Sequence, residues 1–133
     1  MDTDKHRYEK EKNTNLNELT FCINGCAMSV LNKLGHGFHE KIYENALALE
    51  FAHNGLDFSQ QQTFDVVYRN EKIGTFIPDF VIESRVIVEL KTLEKIGSNE
   101  KGQVINYLRA CNLPLGLILN FKHPKLEWQR VVL

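Results

Sequence analysis

Three charged residues interrupt an otherwise apolar, β-branched stretch over residues 77–91: Asp79, Glu89 and Lys91. The stretch has the composition of buried strands. Charged side chains are rare there unless they are paired or hold a metal. Side chains alternate faces along a strand. Glu89 and Lys91 therefore share one face, with Val88 and Leu90 on the other. An Asp and a Glu brought close together can share a divalent cation through hard oxygen ligands. A Lys beside them can orient or deprotonate a water, or offset developing negative charge. Such a set suits metal-assisted hydrolysis of a phosphodiester.

The set works only in one register. If Glu83 and Ser84 formed a two-residue hairpin loop, Ile82 would pair with Arg85, and Asp79 would stand opposite Val88 on the wrong face. An odd loop, such as residues 83–85, or a bulge returns Asp79 to the face of Glu89. A shared site therefore predicts the odd count.

Pro78-Asp79, nine intervening residues and Glu89-Leu90-Lys91 together resemble the PD-(D/E)XK nuclease superfamily. Upstream, Gly37-Phe38-His39-Glu40-Lys41-Ile42-Tyr43 resembles the signature of the GxxExxY protein family, a branch usually placed there. Downstream, Gln103-Val104-Ile105-Asn106-Tyr107 resembles the Gln-x-x-x-Tyr element of the RecB-like branch. The order and spacing carry more than any one motif, and the resemblance spans residues 16–133.

The resemblance implies a PD-(D/E)XK nuclease-like α/β core, a mixed sheet flanked by helices. It implies Mg²⁺ or Mn²⁺ held by Asp79 and Glu89, with the Leu90 backbone carbonyl as a third ligand. It also implies a metal-site role for the helix-borne Glu40. Glu40 shares a helix side with Tyr43, whereas Glu44 reads as a surface residue and a rival for the role. Gln103 can orient a water or contact a phosphate, and Tyr107 can hydrogen-bond nearby. The implied partner is nucleic acid, DNA ahead of RNA, and a homodimer is left open. Two other classes remain: a non-catalytic nucleic-acid-binding or assembly module on the same fold, and a structural ion-pair cluster around Lys91.

Composition agrees with a globular domain. The 133 residues are 43% hydrophobic and 25% charged, ordinary values for such a domain. We expect one domain over 16–133 behind a flexible tail over 1–15, which is nearly all polar or charged. No run is long enough to span a membrane and no signal-peptide pattern opens the chain. Cys22, Cys26 and Cys111 form no disulfide framework and read as thiols of a reducing cytoplasm. The net charge of −1 does not by itself mark a nucleic-acid binder. Its distribution is uneven: residues 1–90 carry 9 Lys and Arg against 14 Asp and Glu, and residues 91–133 carry 7 against 3. The later third can present a phosphate-facing side, or its charges can be a solvated scatter. His36 and His39 lack further ligands and read as exposed loop and helix-start residues.

The elements that must position these groups follow from periodicity. Leu19, Ile23, Cys26, Val30 and Leu34 recur at helical steps, predicting a helix over 16–33 that ends at Gly35-His36-Gly37. A second helix over 38–53 has a wide apolar face from Ile42, Ala46 and Leu49 to Tyr43, Leu47 and Phe51. Residues 56–62 read as a connector. Strands over 64–69, 72–82 and 85–91 read as a meander, with Gly74 marking a bend or bulge. Ser98 is the expected N-cap of a helix over 99–111, whose Gly102 predicts a close approach by a strand or by a substrate backbone. Residues 115–121 read as a strand covered on both faces and parallel to its neighbour. A last strand covers 126–132, with Trp128 packed along its edge. The predicted order is α-α-β-β-β-α-β-β.

Overall fold

Helix α1 (Leu16–Leu34) begins where Asn15 accepts the Glu18 N–H through its side chain at 2.8 Å, satisfying one of the free donors of the first turn. The computed structural model describes residues 15–133, so all but the last residue of the expected tail lies outside the described residues. The α1 stripe of Leu19, Ile23, Cys26 and Val30 is buried as its spacing requires. The helix stops at Gly35, which has φ 76°, a value glycine adopts without a Cβ penalty.

Helix α2 (Glu40–His53) buries only Tyr43, Glu44, Leu47 and Phe51. Ile42 and Leu49, expected on its apolar face, are 43% and 75% exposed. A helix lying on a sheet turns one stripe inward, so the wide face was an overestimate.

The strands are β1 (Phe58–Gln60), β2 (Phe64–Tyr68), β3 (Glu71–Phe76), β4 (Phe80–Ile82), β5 (Val86–Lys91), β6 (Leu115–Asn120) and β7 (Glu127–Val131). Helix α3 (Ser98–Cys111) joins β5 to β6. Five strands form one mixed sheet in the order β1-β4-β5-β6-β7, parallel only between β5 and β6. The α/β class with a mixed sheet flanked by helices is the one expected.

The strand order departs from the meander in two places. The connector contains β1, which pairs with β4 at the sheet edge. The long strand over 72–82 breaks into β3 and β4 at Ile77-Pro78, where proline has no N–H for a ladder and restricts the residue before it. β2 and β3 consequently leave the main sheet and pair as a separate ribbon. The ribbon's register slips so that Ile73, beside Gly74, has no partner opposite.

The sheet carries apolar cover on both faces. Val86, Val88 and Leu90 of β5 pack with Phe80 and Ile82 beneath α1 and α2. Ile87 and Ile118 pack on the other side with Val104 and Leu108 of α3. Every residue of β6 is buried. Trp128 on β7 is 42% exposed.

Two details of α3 differ from expectation. Ser98 is its first helical residue; the N-cap is Gly97, whose N–H donates to Glu100 Oε1 at 2.7 Å. Gly102 has no close neighbour. The close approach is at Gly116 of β6, where a Cβ would overlap Val104 Cγ1 of α3. Among the described residues no helix is long and apolar enough to cross a membrane.

Candidate active site

The hairpin between β4 and β5 fixes the geometry. Phe80 pairs with Val88, Val81 with Ile87 and Ile82 with Val86. The loop is therefore the three residues Glu83, Ser84 and Arg85, with Glu83 and Ser84 at φ 53° and 55°. Extending that register one step places Asp79 opposite Glu89, on the face predicted for both. The pair interlocks through the main chain. Asp79 N–H donates to Glu89 Oε1 at 2.9 Å, and Leu90 N–H donates to Asp79 Oδ2 at 2.8 Å. Beyond Phe80 the carboxylates thus replace the ladder bonds that β4 no longer supplies.

Burial and mutual charge set the electrostatics. Glu89 is 5% exposed. Burial, then the neighbouring Asp79, then Glu40 push its carboxyl up to about 8, against the lowering effects of Asp79 N–H and Lys91. Asp79 is also raised, first by burial, with the Leu90 N–H opposing. Glu40, at the first turn of α2, is raised by burial and then by Asp79, and Lys91 opposes both. The structure therefore brings Glu40 from one side of the sheet into the field of Asp79, Glu89 and Lys91.

From α3 on the other side, Gln103 Oε1 accepts a hydrogen bond from Lys91 Nζ at 3.4 Å. Tyr107 stacks on Phe76 with centroids 4.5 Å apart. Its hydroxyl pKa is raised by burial and then by Glu89 and Asp79, so it too lies near the carboxylates. Among the described residues no ion pair joins Lys91 to a carboxylate.

The model of the PD-(D/E)XK nuclease superfamily matches residues 17–131. The chain belongs to that superfamily. Comparisons with curated proteins and with solved structures gave no match.

Nucleases of this superfamily generally use divalent metal ions, and the donors here fit one in kind. They are hard carboxylate oxygens, gathered where burial, and then their mutual repulsion, already resists ionisation. Among the described residues no three His, Cys, Asp or Glu side chains converge as a ready-made cage. Asp79 Oδ2 and Glu89 Oε1 face main-chain N–H groups instead.

The candidate site has a further layer around Glu44, the rival to Glu40, whose burial sequence reasoning missed. Glu44, read as a surface residue, is 5% exposed. It accepts hydrogen bonds from Gln60, from Gln61 at 3.0 Å and from Lys41 at 3.0 Å. Burial raises its pKa, but the bonds from Gln60, Lys41 and Gln61 outweigh that and lower it. Glu40 and Glu44 are thus separated by environment, one destabilised as an anion and the other stabilised. A signal was present, since Glu44 lies one turn after Glu40 and beside Tyr43. Its partners lie on β1 and the residue after it, in the segment read as a connector.

Tyr43 is a support. Its hydroxyl donates to the Gly35 carbonyl at 2.6 Å and accepts from Phe38 N–H at 3.2 Å. Its ring stacks on Phe121. It fixes the turn that leads into Glu40. His36 and His39 are exposed. The loop after Lys91 is held by the buried Asn120, which bonds both backbone groups of Leu93 and the Glu127 carboxylate.

Proposed function

We propose that this chain is a Mg²⁺- or Mn²⁺-dependent nuclease, of the GxxExxY branch and the RecB-like type, that hydrolyses nucleic-acid phosphodiester bonds. One observation carries the reading: Asp79 and Glu89 stand opposite each other with Lys91 next on the same face, unpaired with either carboxylate. That arrangement speaks against a structural ion-pair cluster. The Gly37–Tyr43 and Gln103–Tyr107 elements support the finer placement, because Glu40 and Tyr107 lie in the field of the same carboxylates and Gln103 bonds Lys91 beside them.

Asp79 and Glu89 would hold the ion, with the Leu90 carbonyl and Glu40 completing its ligands. When bound, the ion supplies a Lewis acid for the scissile phosphate and an acidified water. Lys91 positions the attacking water and offsets charge developing on the phosphate oxygens. Gln103 accepts from the Lys91 ammonium and so limits where it points. Tyr107 walls the site and keeps its proton. DNA is placed ahead of RNA as substrate.

The non-catalytic module has one observation in its favour, that a carboxylate oxygen of Asp79 and of Glu89 is already occupied by main-chain N–H. A cleavage assay separates the readings. Wild type, Asp79→Asn and Lys91→Ala are purified in parallel and given Mg²⁺ or Mn²⁺ with single- and double-stranded DNA and RNA. Cleavage by wild type, reduced by roughly 100-fold or more in both variants, is the expected outcome. Equal cleavage by all three, or none by any, overturns the nuclease.

A further inference from the structure

We propose that Gln61 is a positioning residue for Asp79 and that Glu44 aims it. The inference rests on the nuclease reading and adds to it the element that sets the orientation of its first carboxylate.

Gln61 holds Asp79 twice. Its backbone N–H donates to the Asp79 carbonyl at 3.0 Å. Its side-chain Nε2 donates to Asp79 Oδ1 at 3.1 Å and to Glu44 Oε1 at 3.0 Å. A primary amide has two N–H hydrogens, and both go to carboxylates here. The reverse orientation would point an acceptor oxygen at two acceptors, so the chemistry of the partners fixes the amide.

The chain of contacts runs from a rigid element to the site. Glu44 is buried on α2, and Gln60 and Lys41 both donate to its other oxygen, Oε2. Burial and these two bonds hold its carboxylate, so it directs the Gln61 amide. Gln61 in turn takes Oδ1 of Asp79, while the Leu90 N–H takes Oδ2. Both oxygens of Asp79 are thereby oriented, one from the helix layer and one from β5. Partners of this kind hold a metal-binding carboxylate at one angle, and their loss typically weakens affinity or activity roughly 10–100-fold.

The backbone at Gln61 supplies a clean test. Its φ is 55°, in the left-handed region where glycine is at ease and other residues are strained. Gln61→Gly therefore deletes the amide while suiting the backbone. Gln61→Glu keeps the shape but places a third acceptor between two carboxylates.

The experiment is Mn²⁺ titration calorimetry on wild type, Asp79→Asn, Gln61→Gly, Gln61→Glu, Glu44→Gln and the double variant of Gln61→Gly with Glu44→Gln, alongside thermal melts. Wild type is expected to bind Mn²⁺ and Asp79→Asn to lose it. Gln61→Gly is expected to weaken binding roughly 10–100-fold with its melting temperature retained. Gln61→Glu is expected to weaken it further. Glu44→Gln is expected to weaken binding in the wild-type background and to add nothing in Gln61→Gly. A folded Gln61→Gly with wild-type Mn²⁺ affinity overturns the positioning role alone. A wild-type protein that binds no Mn²⁺ overturns the nuclease reading and this inference with it.

Discussion

At the scale of single residues, Glu89 is the most strained ionisable group of the site. Burial, and then the neighbouring Asp79, push its carboxyl up to about 8 in the fold, against 4.5 for an ordinary glutamate. Between those values the folded protein binds a proton that the unfolded chain has already lost. Stability of the metal-free protein therefore falls as pH rises from about 4.5 to about 8, and levels beyond. Asp79 and Glu40, also raised, act in the same direction. Glu44, lowered, acts the other way, but its stabilisation is lost only as pH falls below the ordinary glutamate value. Replacing Glu89 with Gln removes the largest contribution while leaving an oxygen to accept the Asp79 N–H. Thermal melts in a chelator from pH 5 to 8 are expected to show a flatter pH dependence for Glu89→Gln. At pH 8 that variant should exceed wild type by a few kcal/mol. A wild-type stability that rises toward pH 8 would contradict the burial of an unneutralised Glu89.

At the scale of elements, α3 is set against the sheet by the absence of a side chain at Gly116. A Cβ there meets Val104 Cγ1, and a β-branched side chain in a helix has one strongly preferred rotamer with which to avoid it. Gly116→Ala is expected to cost about 1–3 kcal/mol in urea denaturation. The same change in a Val104→Ala background should cost less, because the clashing methyl is gone, and additive penalties would place the conflict elsewhere. Gly102 drew attention in the sequence because a helical glycine is costly, whereas Gly116 was hidden inside a favourable strand pattern. Sequence pattern was informative where one residue's preference decides the outcome. The odd loop between β4 and β5 could be argued from Asp79 and Glu89 alone, and the buried β6 from its unbroken apolar run. It failed where pairing partners decide. A segment as short as β1 has no period to read, and its strand character comes from the edge that β4 offers. The ribbon of β2 and β3 separates because Pro78 ends the shared strand. The burial of Glu44 was missed for the same reason, since its partners Gln60 and Gln61 arrive from β1 and the residue after it.

At the scale of the whole molecule, the site draws on both sides of the sheet. Glu40, Glu44 and Tyr43 come from the layer of α1 and α2, whereas Gln103 and Tyr107 come from α3. They meet where β4 gives out and the Asp79 and Glu89 carboxylates take up the bonds of the ladder. Several carboxyl groups are held together there by packing that both cores supply, so their full ionisation is opposed until a cation offsets the repulsion. Ligand that binds only the folded state stabilises it by RT ln(1 + [L]/Kd), about 2.7 kcal/mol at a hundredfold excess over Kd. For a chain of this length that is on the order of 10 °C in melting temperature. The effect must depend on pH, because Glu89 has to release its proton before its oxygens can serve as ligands. At pH 6 part of the binding energy is spent on that proton, while near pH 8 much of it has already left. The rise in melting temperature on adding Mn²⁺ is therefore expected to be larger at pH 8 than at pH 6 in wild type. In Glu89→Gln the remaining effect should be weak and nearly independent of pH, and in Asp79→Asn it should be absent. A Mn²⁺ effect that is unchanged in Asp79→Asn would place the ion away from the β4–β5 hairpin.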